Sequence, residues 1–157
     1  MFYVDIERNT TMTIAVGADH AGYELKNALA HFLKEAGYTV RDCGTHSADS
    51  TDYPDYAVAA CSLVSENDCD YAVLVCGSGI GVCITANKVK GIRAANCLNS
   101  EQARLSRLHN NCNVITLGAR FLSFDEASEI MMTFLTTEFE GGRHQQRVEK
   151  IHSLTHC

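Results

Sequence analysis

The sequence predicts an α/β fold: a three-layer α/β/α sandwich, Rossmann-like or flavodoxin-like, on a five-stranded parallel sheet with an extra C-terminal helix. Three observations predict it. Short β-rich apolar runs alternate with longer amphipathic ones, the pattern of βα units around a parallel sheet. The chain has 157 residues, 46% hydrophobic and 20% charged, which is one compact domain's worth of core. One apolar run, YAVLVC, delivers a cysteine straight into a glycine-rich loop, GSGIG, where ligands bind in such sheets.

The elements follow in order. Strands are expected at Thr13–Ala18 (TIAVGA), 39–43 (TVRDC), Tyr71–Cys76 (YAVLVC), 92–97 (IRAANC) and 114–117 (VITL). Helices are expected between and after them at 23–36, 55–65, 80–89, 100–108 and 125–136. Leu25, Leu29, Phe32 and Leu33 keep helical spacing, and Gly37 stops that helix where a left-handed residue is cheap. The only proline, Pro54, suits the first turn of the second helix. Ser123 followed by Glu126 reads as a capping box for the fifth. After Gly141-Gly142, RHQQRVEKIHSL forms one more helix, too polar for a core, which reaches over a neighbouring element or a second subunit. Residues 1–12 are read as an N-terminal extension and 13–157 as a single domain.

Composition excludes several functions. A net charge of −6 argues against nucleic acid or an anionic membrane as the main partner. No apolar run reaches the roughly 18 residues of a membrane span, and the first residues lack the basic start and apolar middle of a secretory signal. The expected location is the cytoplasm. Eight cysteines without export signals read as reduced thiols, and the lack of CxxC or zinc-ligand spacing argues against a metal.

The candidate chemistry lies in four places. Gly77, Gly79 and Gly81 let backbone amides approach a ligand, and the amides at a helix start attract anions or a developing oxyanion. GSGIGV lacks the last glycine of a dinucleotide fingerprint, and no Gly-Lys-Ser/Thr makes it a P-loop. Cys76 reads either as a small buried hydrophobe or, with its thiolate favoured by those amides, as a base or nucleophile. Val82 stands where a phosphatase loop needs arginine, which removes the phosphocysteine reading. Asp19 and His20 end the first strand and face the same crevice, unless they are only a cap or a surface pair. Tyr53 opens the second helix; His109 and Asn110 close the fourth, where a plain C-cap is the alternative. Arg143 and Arg147 share one face of the last helix and Arg120 follows the last strand, a set suited to a phosphate.

Taken together, GADHAG, DYPDYA, VCGSGIG followed by ANKVKGIRAA, LSRLHNNCNV and GGRHQQRVE, in this order from Thr13 to about Ser153, resemble the type B ribose 5-phosphate isomerases. The wider family includes galactose 6-phosphate and allose 6-phosphate isomerases. The resemblance implies an isomerase without metal or cofactor that interconverts D-ribose 5-phosphate and D-ribulose 5-phosphate through a cis-enediolate, in the non-oxidative pentose phosphate pathway. Cys76 is similar to the family's proton-moving base, and His109 to the residue that assists ring opening, with Asp19 its partner. Gly77 to Gly81 resemble the enediolate cradle, to which Ser78 adds a hydroxyl where many relatives carry threonine. Asn110 and Tyr53 match substrate-orienting positions; His20, Arg120, Arg143 and Arg147 match the phosphate set. One branch of the family uses a glutamate as base; Val82 stands in its place, which puts this chain with the cysteine branch. The resemblance also implies a homodimer or tetramer with sites shared between subunits. The alternatives are a six-carbon sugar phosphate isomerase, a phosphosugar-binding sensor without catalysis, and a thiol redox protein, the last weakened by the lack of a resolving cysteine near Cys76.

Overall fold

A computed structural model describes residues 11–157, and residues 1–10 of the extension lie outside it. The order is β1 (Thr13–Ala18), α1 (Tyr23–Glu35), β2 (Thr39–Asp42), α2 (Tyr53–Ser65), β3 (Tyr71–Cys76), α3 (Ile80–Ala86), β4 (Ala94–Asn96), α4 (Ser100–Asn110), β5 (Val114–Gly118), α5 (Phe124–Thr136) and α6 (Arg143–Thr155). All strand pairs are parallel, and the sheet runs β2-β1-β3-β5-β4. Each parallel connection must therefore cross a face of the sheet, which is why a helix stands between every two strands.

The sheet divides two cores. Leu29 and Leu33 of α1, Ala103 of α4 and Ile130, Met131 and Phe134 of α5 pack on one face against Ile14, Val16, Val73 and Ile115. Ala57, Ala60 and Cys61 of α2 and Val82 and Ala86 of α3 pack on the other against Ala15, Ala72, Leu74 and Val114. The three-layer architecture expected from the alternation is present. All eight cysteines are unpaired; burial pushes the Cys61 and Cys97 thiols up to about 12 and the Cys112 thiol to about 11, so they fill space as neutral side chains. No helix among the described residues is long and apolar enough to cross a membrane.

Element ends differ from the sequence expectation where side chains intervene. β4 keeps only Ala94–Asn96 of the expected 92–97, because Ile92 turns back to the Val89 carbonyl and Arg93 N–H is taken by Asn113 Oδ1. The third helix stops at Ala86 rather than 89: Asn87 turns its side chain onto Ala94, accepting from its N–H at 2.9 Å and donating to its carbonyl at 3.0 Å. The fourth runs on to Asn110 and ends at Asn111, whose φ of 46° supplies the left-handed cap. Gly37 (φ 94°) and the reciprocal Ser123–Glu126 cap stand as expected.

Candidate active site

The order β2-β1-β3 makes β1 and β3 the strands from which the chain departs in opposite directions, so a crevice opens between their carboxyl ends. The register levels those ends: Ala18 lies beside Val75, and Cys76 beside Gly118. Asp19, the loop after Cys76 and Arg120 therefore leave the sheet along one line.

Cys76 ends β3 only 4% exposed, and the Gly79 N–H donates to its Sγ at 3.1 Å. The loop that makes this bond is held from both sides. Thr116 Oγ1 donates to the Gly79 carbonyl at 2.9 Å, and Asn96 Nδ2 donates to the Ser78 carbonyl at 3.5 Å. Ser78 precedes Gly79, the N-cap of the short α3, and its Oγ accepts the Ile80 N–H at 3.2 Å. Gly79 has a φ of 78°, and a Cβ there would stand 2.3 Å from Asn96 Oδ1 and 3.0 Å from the Leu117 carbonyl carbon. Both the backbone angle and the space demand glycine. Gly79→Ala is accordingly expected to cost about 1–3 kcal/mol of stability and to lower turnover at least as far as the loop is displaced. Denaturant unfolding run beside steady-state kinetics checks this; an unchanged midpoint with full activity would show that the loop is not held as described.

The neighbours of the loop close it further. The Arg120 guanidinium lies over Gly77, within 2.9 Å of where a Cβ would stand, and the Tyr53 ring lies over Gly81. Asp19 is buried and accepts the Gly22 N–H at 3.1 Å. His20 is exposed and holds Thr51 through Nδ1, 3.2 Å from both its N–H and its carbonyl oxygen. The segment carrying Thr51 starts from Thr45, whose carbonyl receives the ammonium of Lys26; that fully buried lysine also grips both oxygens of Asp42. Cys83 turns away from the crevice toward the Ala94 carbonyl (3.7 Å), and burial raises its thiol. Cys76, Asp19, Ser78, His20, Tyr53, Gly77, Gly79, Gly81 and Arg120 thus share one edge.

The remaining four residues do not join them. α4 carries the chain from the carboxyl edge of β4 back to the amino edge, where Arg93, just before β4, donates to the carbonyls of Asn110 (3.0 Å) and Asn111. His109 and Asn110 therefore stand at the opposite end of the sheet from Cys76. Arg143 and Arg147 accompany them: Glu140 N–H donates to the Leu108 carbonyl at 3.0 Å, which docks the start of α6 beside the end of α4. Within one chain the three arginines of the phosphate set therefore do not share a strand edge: Arg120 stands at the carboxyl edge and Arg143 and Arg147 at the other. Side-chain spacing places Arg143 and Arg147 on one helix face, but α5 has already returned the chain from the carboxyl end of β5 to the other end, where α6 begins. At that end the His109 ring stacks on His144, centroids 4.3 Å apart and 15° between planes, with Glu140 Oε2 3.8 Å from one Nε2 and 3.7 Å from the other. Among the described residues, these three side chains are the set whose metal-ligand atoms lie within 4.8 Å of one another. Their rings are face to face rather than splayed toward one point, and Arg143 and Arg147 add positive charge, so the cluster suits proton handling better than a cation.

Sequence reasoning passed over Thr116, Asn96, Glu140 and His144. Thr116 did carry a signal: it is the only polar side chain in VITL, in a strand with no exposed face. His144 sits inside the GGRHQQRVE motif between the two arginines, and nothing local marks it as a partner of His109.

The profile of the Ribose/Galactose Isomerase family matches residues 14–151. Ribose-5-phosphate isomerase B of Escherichia coli K12 is 44% identical over 141 residues, covering 90% of this chain and 95% of that protein. The structure of Clostridium thermocellum ribose-5-phosphate isomerase B superposes with a TM-score of 0.90 at 49% identity, covering 91% of this chain and 97% of that one. That of the Mycoplasma genitalium enzyme with bound ribulose-5-phosphate gives 0.87 at 41% identity, covering 91% and 95%. With its Cys76 loop at the switch point of the sheet and a match that spans nearly every described element, the chain belongs to the ribose/galactose isomerase family.

Proposed function

We propose that this chain interconverts D-ribose 5-phosphate and D-ribulose 5-phosphate, with Cys76 as the base and neither metal nor cofactor. The observation that carries the reading is the Gly79 N–H on Cys76 Sγ, in a loop with further backbone donors at the sheet's switch point. A bond from N–H to sulfur is strongest when the sulfur carries charge. Shifting a proton α to a carbonyl needs a base and donors for the oxygen that turns negative, and this loop places both together.

The steps balance within the substrate. His109 takes the O1 proton of the furanose, C1=O1 forms as C1–O4 breaks, and His109 returns the proton to O4. The Cys76 thiolate then takes the C2 proton, the electrons pass to O1 as a cis-enediolate forms, and the loop amides with Ser78 hold the charge. The proton returns to C1 while the O2 proton moves to O1, leaving the ketose. His20 and Arg120 at one edge, with Arg143 and Arg147 at the other, hold the phosphate, so remote binding energy goes into orientation.

Since one chain carries the two groups at opposite edges, we infer a homodimer whose site combines Cys76 of one copy with His109, Asn110, Arg143 and Arg147 of the other. Ile80 and Ile84, over half exposed on α3 beside the Cys76 loop, supply an apolar surface for that contact. Eight unpaired cysteines suit a reducing cytoplasm, and 13–157 acts as one domain.

The test is conversion of ribose 5-phosphate by the purified protein in excess EDTA. Turnover that survives EDTA is expected. Turnover confined to allose or galactose 6-phosphate would move the substrate to six carbons, and silence on all three would leave a phosphosugar sensor.

A further inference from the structure

Resting on the reading of His20 as one of the phosphate-binding groups, we propose that Lys26 and Asp42 are positioning residues for its imidazole: a buried ion pair fixes the loop that holds the ring. Lys26 is only 1% exposed, an unusual place for an ammonium. Its Nζ donates to Asp42 Oδ1 at 2.8 Å, to Asp42 Oδ2 at 2.9 Å and to the Thr45 carbonyl at 2.9 Å, so each of its three protons has an acceptor. Taking two charges out of water offsets most of their attraction, and an apolar pair of the same volume would hold the fold together as well. What an apolar pair lacks is direction.

Both ends of the pair lead to His20. Lys26 closes the first turn of α1, its N–H donating to the Gly22 carbonyl at 2.8 Å, and Gly22 N–H donates to Asp19 Oδ1 at 3.1 Å, so this end carries the His20 backbone. Asp42 ends β2 and accepts the Gly44 N–H at 2.9 Å. The turn it makes is tied to the end of β1, where Ala18 N–H donates to the Gly44 carbonyl at 2.7 Å and Thr45 N–H to the Ala18 carbonyl at 2.6 Å. From Thr45 the chain runs outward through two short side-chain turns, Thr45 Oγ1 donating to the Ser47 carbonyl at 3.4 Å and Ser47 Oγ to Asp49 Oδ2 at 3.1 Å. It then reaches Thr51, whose N–H and carbonyl oxygen both lie 3.2 Å from His20 Nδ1. The Thr51 hydroxyl is buried with no partner among the described residues, and Asp52, the N-cap of α2, makes no side-chain capping bond, so this segment is anchored from Thr45. The grip on Nδ1 matters to an anion. Where Thr51 N–H donates to Nδ1, the neutral ring carries its proton on Nε2; where Nδ1–H of a charged ring donates to the Thr51 carbonyl, Nε2 carries one again. Either way Nε2 has a donor for a phosphate oxygen. A loop that drifts frees the neutral ring to take the other tautomer and present a lone pair instead.

The experiment measures kcat and KM for ribose 5-phosphate and the inhibition constant of inorganic phosphate, with denaturant unfolding beside them. The proteins are the full-length parent, Lys26→Met, Asp42→Asn, His20→Asn and each of the first two combined with His20→Asn. Lys26→Met keeps the unbranched stem and removes the charge; it is expected to raise KM and the phosphate inhibition constant about fivefold while kcat changes by less than about twofold. In the His20→Asn background the same substitution should add almost nothing, because the ring it serves is gone. A residue that only steadied the fold would leave phosphate inhibition of the folded protein untouched, or would multiply its effect with that of His20→Asn. Asp42→Asn keeps an acceptor for the Gly44 N–H and should shift both constants the same way by a smaller factor, so it carries the test if Lys26→Met does not fold. Parental phosphate inhibition in the folded variants, or an undiminished effect without His20, would overturn the proposal and leave the phosphate role of His20 standing. Parental constants for His20→Asn would remove that role and the proposal with it, and an inert parent would sink the isomerase reading itself.

Discussion

Cys76→Ala is expected to lower turnover about 10³-fold while leaving the affinity for ribulose 5-phosphate nearly unchanged. The Sγ accepts the Gly79 N–H, and alanine keeps the loop's packing because it removes one atom from a tightly enclosed position. Cys76 is not one of the residues proposed to hold the phosphate, so binding survives. Arg147→Ala should do the reverse, raising the Michaelis constant with a smaller effect on turnover, since the phosphate takes no part in bond making. Steady-state kinetics with titration calorimetry of the Cys76 variant separates the two. Equal losses in both parameters for both variants would contradict the division between a proton-moving thiol and a phosphate-binding arginine.

Mixing two inactive proteins should restore activity. Cys76→Ala lacks the base and the double variant Arg143→Ala, Arg147→Ala lacks the phosphate clamp, so at low substrate each alone is nearly silent. If the site combines one copy's carboxyl edge with the other's amino edge, a mixed dimer contains one site with every group intact and one site with neither. Random exchange makes half the dimers mixed, each with one of two sites complete, so the mixture should recover about a quarter of the parental rate after subunits re-equilibrate. A rate equal to the sum of the separate variants would place all the groups in one chain's site and remove the shared arrangement. The expectation follows from the sheet order, because no rotamer change carries Arg143 from one end of α4 to the other.

The parts of this molecule legible before folding are those governed by neighbours a few residues away. Gly37 ends α1 because only a residue tolerant of positive φ continues the chain there, and Ser123 with Glu126 caps α5 through two bonds that span a single turn. Boundaries slipped where a distant side chain took a backbone group. Asn87 ended α3 early by binding Ala94, and Asn113 removed Arg93 from β4.

By itself, the sequence determined the alternation of strands and helices, the cysteine-glycine loop after β3 and, through five spaced motifs in one order, the family. Each of these is written in periodicity, turn chemistry or residue identity along the chain. Only the tertiary structure decided that β4 lies outside β5 and that the start of α6 docks on the end of α4, at the amino edge where that helix delivers His109 and Asn110 while Cys76 stays at the other. It alone brought Glu140 and His144 onto His109 and set Thr116 and Asn96 beneath the Gly79 loop. The physical reason is the same in each case: strand order and side-chain neighbours are chosen by how whole layers bury their apolar faces, and no local pattern records which distant residue that choice will place alongside.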